Sequence, residues 1–187
     1  LEDVPGVTDL GAGKMAKIIW KGLESQEVKV EGGELRGLLD IRDGDGEGLN
    51  YRGLVYYLNK LNEFARDFSI KFNEIHKKGY DFNGEAGRNF FYVPEEGPNA
   101  GNCLNFAVSK ELLDNPDLIA ASSEFSEESN NNNLKDLIAL KDSQDMFTST
   151  KGTPDDFIKA LLSSLAVDAQ QAKRMAINSE MLVVETD

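Results

Sequence analysis

Leu54, Leu58, Leu61, Ala65, Phe68, Phe72 and Ile75 stand alternately four and three residues apart. At 3.6 residues per turn this spacing gathers all seven onto one stripe of a helix, and so long an apolar stripe demands a partner helix to cover it. The stretch from Tyr51 to Gly79 is therefore predicted to be one long helix carrying a heptad seam. Its end is equally marked. Lys77 and Lys78 set positive charge against the negative end of the helix dipole, and Gly79 is expected to take the left-handed conformation just beyond it.

A second seam runs along the C-terminal segment. Thr153 is placed as N-cap and Pro154 as the first helical residue, with Asp155 and Asp156 at the positive end of the dipole. From there Ile158, Leu162, Leu165, Ala169, Ala172, Ala176, Ser179 and Val183 again alternate four and three, with small residues that permit close helix approach. The two long helices are expected to pack antiparallel. A third is expected from Leu134 to about Met146, with Leu134, Leu137, Ile138 and Lys141 on one face and the last Asn of the run 130–133 as its cap. Burying seven seam side chains at roughly 1.5 to 3 kcal/mol each gives on the order of 10 to 20 kcal/mol before chain entropy is subtracted.

The other segments are short. Residues 1–14 are Gly-rich and lack periodicity. Ala16–Lys21 and Gln26–Glu31 are β-branched runs flanking a turn at 22–25, which reads as a hairpin needing a surface to lie on. A helix over Gly33–Asp43 is the expected surface, followed by a flexible acidic joint over Gly44–Asn50. Phe90–Val93 and Leu104–Val108 read as strands around a loop, and Ser109 as the cap of a short helix KELLD ended by Asn115-Pro116. The fold class that results is mainly α with a small β component (α+β). It is an antiparallel bundle of long helices with short β-hairpins or strands packed at one end. One domain is expected: hairpin and short helix in 1–50, long helix in 51–79, turns and strands in 80–127, and two helices in 128–187.

Charge and composition narrow the function. With 20 basic and 33 acidic residues the net charge is -13, which repels a phosphate backbone and argues against nucleic acid as a partner. No apolar run is long enough to cross a bilayer. The opening LEDVPG is neither a signal peptide nor a natural start, and MLVVETD breaks off within a helical pattern, so the chain is expected to be an internal piece of a longer protein. The single cysteine, Cys103, rules out an internal disulfide and a cysteine-based metal site. The single histidine, His76, falls in the last turn of the long helix, where it is expected to meet free carbonyls rather than to catalyse.

Trial motifs fail on their spacing. An EF-hand begun at Asp43 meets Leu54 where a bidentate carboxylate is required, and one begun at Asp81 puts Ala86 at the glycine position. LGAGKMA has Thr8 in place of the first phosphate-loop glycine and Met15 in place of the magnesium ligand. No catalytic residue, cofactor or metal site is assigned.

Three stretches taken together are distinctive: GGELRGLLDIRD (32–43), LNKLNEFARDFSIKFNEIHKKGYDFNGEAGRNFF (58–91) and SKELLDNPDLIAASS (109–123). In order and spacing they resemble the flagellar hook-associated protein 1 family, FlgK. Asn73, His76, Gly79, Asp81, Asn83, Gly84, Gly87, Phe90 and Phe91 fall on that family's turn pattern residue by residue. The resemblance implies a secreted, extracellular structural subunit of the bacterial flagellum at the hook–filament junction, exported by the flagellar type III system and assembling into a ring. The implied partners are further copies of itself, hook protein, and adjacent hook-associated or filament subunits, with an export chaperone acting through the missing termini. The implied architecture also has an N-terminal long helix joining the bundle. Two other readings stay open: a secreted helical adhesin or partner-binding module, and a calcium-dependent flagellum-associated enzyme.

Overall fold

Residues 18–20, 23–48, 51–92, 106–127 and 129–186 are described by a computed structural model. Strands β1 (Ile19–Trp20) and β2 (Leu23–Glu27) pair antiparallel, with Ile19 opposite Glu27 and Trp20 opposite Leu23. The hairpin is thus present, but Leu23, Glu24 and Ser25 belong to its second strand rather than to the turn. Residues 16, 17, 21 and 22 of the expected hairpin lie outside the described residues, as do 1–14 and 93–105 with Val93 and Leu104. Helix α1 (Gly33–Asp43) has the bounds its sequence predicts; it buries no residue and packs across the start of the next helix.

The acidic joint after α1 is tied down at its base, while its residues 49 and 50 lie outside the described residues. Asp45 and Arg52 form an antiparallel bridge, the Gly46 amide donates to the Tyr51 carbonyl at 3.1 Å, and the Gly53 and Tyr56 amides both donate to the Gly44 carbonyl. Satisfying these backbone groups within the loop fixes the angle at which the chain enters α2 (Leu54–His76). The 23 residues of α2 extend about 35 Å at 1.5 Å per residue.

The two halves of α2 are covered differently. In the C-terminal half Phe68, Phe72 and Ile75, together with Phe64, pack against a core of Leu137, Leu140, Met146, Phe147 and Phe157. Phe64, Phe68 and Phe72 are four residues apart and their rings follow one another at 5.8 and 5.9 Å between centroids. Phe147 and Phe157 close on Phe64 at 5.4 and 5.7 Å. These spacings suit offset and tilted ring contacts, which favour one registration of the helices over a merely greasy surface.

Beyond α2, strands β3 (Phe91–Tyr92) and β4 (Ala107–Val108) pair antiparallel, Phe91 opposite Val108. Helix α3 (Lys110–Asp114) begins after Ser109, whose side chain makes no capping bond. A 3-10 turn (Pro116–Leu118) follows, with Asn115 accepting from the Asp117 amide. Helix α4 (Asn132–Ala139) starts two residues earlier than expected and ends sooner, tightening into a 3-10 turn at Leu140–Asp142. Met146 is therefore not helical; it and Phe147 are buried in the loop that crosses the core. The buried face of α4 is Asn133 and Leu137, continued by Leu140, while Leu134 and Ile138 point outward.

Helix α5 (Pro154–Thr186) opens with a reciprocal cap: the Asp156 amide donates to Thr153 Oγ1 at 3.1 Å, and Thr153 N donates to Asp156 Oδ2 at 3.0 Å. It runs antiparallel to α2, since Phe157 meets Phe64 while Asp168 meets Tyr57. The facing line of α5 is Phe157, Leu161, Ser164 and Asp168, all buried or half-buried, against Tyr57, Lys60 and Phe64. Each line stands one residue before the predicted seam. Leu54, Leu61, Leu162 and Leu165 are consequently 53, 39, 59 and 47 % exposed. Ala169, Ala172 and Ala176 are exposed as well, Leu58 is half-buried, and of the second seam Ile158 packs on the core. The reason is visible in the side chains: the facing line of α5 includes Ser164 and Asp168, which a search for apolar periodicity passes over.

Candidate functional site

The residues that the sequence singles out as a turn pattern converge at the C-terminal end of α2. Ala65, Ser69, Asn73 and His76 form its fully buried stripe, small or polar throughout, and α4 packs across the same helix. Asn73 acts as a piece of strand: its Nδ2 donates to the Phe91 carbonyl and its Oδ1 accepts from the Phe91 amide, both at 2.9 Å. That double bond fixes β3 to the helix and places Phe90 and Phe91 against Phe72, at 4.8 and 5.0 Å.

His76 is sealed from solvent and joins three segments. Its Nδ1 lies 2.7 Å from the Arg88 carbonyl and its Nε2 lies 3.0 Å from the Ala120 amide nitrogen. A carbonyl can only accept and an amide can only donate, so these partners require the neutral ring with its proton on Nδ1. Burial pushes the ring's pKa below the ordinary histidine value. The hydrogen bond to the Arg88 carbonyl works the other way and the nearby Arg88 charge adds to the lowering. The carbonyl His76 meets belongs to the following turn, not to the end of its own helix.

The turn is closed by its own backbone. Tyr80 and Ser122 exchange amide-to-carbonyl bonds at 2.8 and 3.2 Å, Gly87 N donates to Gly79 O at 2.8 Å, and Asp81 N donates to Glu85 O at 2.9 Å. Asp81, buried, accepts from the Asn83 and Glu85 amides through Oδ1, both at 2.9 Å, and its Oδ2 faces Arg88 Nη2 at 3.8 Å. Asn133 of α4 completes the corner by donating to the Ala120 carbonyl at 2.6 Å.

Gly79 does not adopt the left-handed conformation expected of it; it is absent from the positive-φ residues. It is glycine for space. A Cβ there would stand inside the amide of Asn133, and one on Gly87 would overlap the His76 carbonyl and stand 2.8 Å from Ala120 Cβ. Gly84 is the member of the pattern with a left-handed backbone, at φ +75°. Of the nine pattern residues Asn83 alone is exposed; Gly84, Gly87, Phe90 and Phe91 are half-buried and the other four are buried.

Two further polar contacts hold α2 from outside the corner. Asp67 Oδ2 accepts from the Thr148 amide at 2.9 Å and from its hydroxyl at 2.6 Å, and Oδ1 accepts from Arg66 Nε at 3.0 Å. Burial alone raises the Asp67 pKa, but the Thr148 and Arg66 hydrogen bonds outweigh it and leave the carboxyl below its ordinary value. Asp168 of α5 accepts from Tyr57 Oη and from Arg52 Nη2, both at 2.6 Å. Burial and the Asp168 bond push Tyr57 up to about 12.

Sequence reasoning missed Ser122, Asp67 and Thr148 and the aromatics Phe64, Phe147 and Phe157, and it gave Asn133 a capping role, whereas Asn131 stands at the cap position and Asn133 lies inside α4. A usable signal existed for one of them, since an Asp within an apolar stripe is costly unless paired. The arrangement has the chemistry of a fastener. Both His76 nitrogens are engaged with backbone, and among the described residues no three His, Cys, Asp or Glu side chains are grouped to hold a metal ion. Nor is any helix among them long and apolar enough to cross a membrane.

Residues 6–91 match the family described as the flagellar hook-associated protein FlgK helical domain. The chain is 26% identical over 132 residues to flagellar hook-associated protein 1 of Bacillus subtilis (strain 168), covering 70% of this chain and 26% of that protein. It is 30% identical over 110 residues to flagellar hook-associated protein 1 of Escherichia coli (strain K12), covering 58% of this chain and 19% of that protein. The chain thus spans about a quarter or less of the length of these curated relatives. The matches bear out the resemblance to the FlgK family that the three sequence stretches carry.

Proposed function

We propose, from this relationship to FlgK as premise, that the chain is part of a non-enzymatic structural subunit of the bacterial flagellum, acting at the hook–filament junction. In this reading the subunit is exported by the flagellar type III system and assembles as a ring outside the cell. It contacts further copies of itself, hook protein and adjacent hook-associated or filament subunits, and an export chaperone engages its termini. The observation that carries the reading is the match over residues 6–91, a segment whose polar pattern residues are spent on holding backbone to backbone. An assembly subunit transmits load through rigid corners, and buried side chains that tie one stretch of backbone to another supply such rigidity.

The exposed stripe supports the same reading. Leu54, Leu165, Ala169 and Ala172 line an open apolar groove of about 440 Å³ between α1, α2 and α5. We assign this groove to the antiparallel bundle expected from the sequence, whose remaining helices come from elsewhere in the protein. The test is deletion of the gene. Hooks without filaments, with flagellin released to the medium, are the expected phenotype. Normal filaments in the deletion strain refute the junction role.

A further inference from the structure

Asn83-Gly84 is the single Asn-Gly step in the sequence, and it lies at the tip of the corner turn. We infer that Asn83 is a site of spontaneous deamidation whose rate is governed by the folding of this corner, slow when the turn is closed and fast when it opens. The inference does not depend on the flagellar reading.

The chemistry needs only the chain and water. The Gly84 backbone nitrogen attacks Asn83 Cγ, giving up its proton to solvent, and the side-chain amide leaves as ammonia to form a five-membered succinimide. Water then adds to one of the two ring carbonyls. Opening on one side gives aspartate and on the other isoaspartate, in which the main chain runs through the former side chain. Glycine at the next position leaves the attacking nitrogen unhindered, which makes the unfolded segment reactive.

In the folded turn the attacking nitrogen and the backbone on either side of it are restrained. The Gly84 N–H is committed to the Asp81 carbonyl at 3.0 Å, so the nitrogen that must attack is held as a donor. The amide on the other side of Asn83 donates to Asp81 Oδ1 at 2.9 Å, and Glu85 N shares that oxygen. Gly84 is held at φ +75° with the Phe125 ring 3.4 Å from where a Cβ would be. The Asn83 side chain itself is exposed, so water is not the limiting reactant; backbone freedom is. Reaction therefore waits on local opening of the 79–87 segment, and its rate follows the open fraction.

The product matters to the corner. Isoaspartate lengthens the main chain by a methylene inside a span that the Asp81–Glu85 and Gly79–Gly87 backbone bonds must close. It also brings a new carboxylate beside buried Asp81 and beside Glu85. A modified chain loses the turn geometry that seats His76 on the Arg88 carbonyl.

The test compares the 187-residue chain in buffer at neutral pH with the same chain in guanidinium chloride, both at one temperature, followed by peptide mass mapping and isoaspartyl detection. The expected result is conversion at Asn83 that is about tenfold or more slower in buffer, as an opening equilibrium of that size dictates. Equal rates in the two conditions overturn the gating, and an unmodified Asn83 in guanidinium while a control Asn-Gly peptide converts overturns the site. Asp81→Asn, checked for retained helical circular dichroism, is expected to accelerate conversion in buffer; a folded variant with unchanged rate also overturns the gating. Asn83→Gln is expected to remove the modification from this peptide, and the aged wild-type chain to melt at lower Tm than the aged variant.

Discussion

Replacing His76 with Ala removes a buried side chain that bonds backbone groups of two different segments, the Arg88 carbonyl and the Ala120 amide. Each orphaned group costs about 1 to 3 kcal/mol, and the missing ring leaves an apolar void as well. The expected loss is about 3 to 6 kcal/mol, a large part of the roughly 5 to 15 kcal/mol by which domains of this size are stable. Denaturant unfolding is the assay, read as a drop in midpoint at unchanged slope. His76→Asn offers one donor and one acceptor on a shorter side chain and is expected to recover part of the loss. A His76→Ala loss below about 1 kcal/mol would refute the claim that the ring carries these bonds.

The same geometry fixes the sign of a pH effect. The folded ring has its pKa lowered, so between the unfolded value near 6.5 and the folded value the unfolded chain binds the extra proton. Stability therefore is fully present above about pH 6.5 and falls as pH drops through this window, with a slope of at most about 1.4 kcal/mol per pH unit. Protonation of Nε2 must break the bond from the Ala120 amide, because a protonated nitrogen cannot accept. The slope is expected in wild type and absent from His76→Asn. Its presence at equal size in both proteins would show that other groups produce it.

Phe157→Ala is expected to cost about 3 to 5 kcal/mol in thermal or denaturant melts, since Phe157 is buried against Phe64 and Phe147. Leu61→Ala, at a position 39 % exposed, should cost less than about 1.5 kcal/mol, and the opposite ranking would place the helix contact back on the heptad seam. Ultraviolet titration should find one tyrosine ionising near 12, and Tyr57→Phe should remove that step; an unchanged titration curve would mean Tyr57 is free of Asp168. For Asp67, whose folded pKa is lowered, the stabilisation is present above its unfolded value near 3.9 and is lost on further acidification. Asp67→Ala should therefore flatten the acid limb of the stability profile, and a limb identical to wild type would contradict it.

The helices were legible where single residues mark their ends. Thr153 with Pro154 announced α5, and the bounds of α1 followed from its leucines and flanking glycines. The corner was legible as a pattern but not as a mechanism. Gly79 reads equally well as a left-handed cap or as room for a neighbour, and the neighbour, Asn133, is distant in sequence and lies within a run of four Asn. Met146 and Phe147 carry no period because they are buried from a loop.

The faces were misjudged in one consistent way. On α4 the expected face of Leu134, Leu137, Ile138 and Lys141 keeps Leu137, while Asn133 and Leu140 take the place of Leu134, Ile138 and Lys141, and on α5 the line through Leu162 and Leu165 is replaced by Phe157, Leu161, Ser164 and Asp168. On the upper half of α2, Tyr57, Lys60 and Phe64 replace Leu58 and Leu61. Each shift is one residue, about 100° around the helix, and each chosen line carries a polar side chain with a distant partner. Asn133 bonds to Ala120, Asp168 to Tyr57 and Arg52, and Lys60 to Ser149. Two apolar stripes on one helix gain similar energy from burial, so hydrophobicity alone leaves the choice between them nearly degenerate. A polar group on the contact line breaks the tie, because it is satisfied in one rotation and stranded or idle in the other. Packing by the pinned stripe then leaves the leucine and alanine stripe of α2 and α5 open along the groove among the described residues.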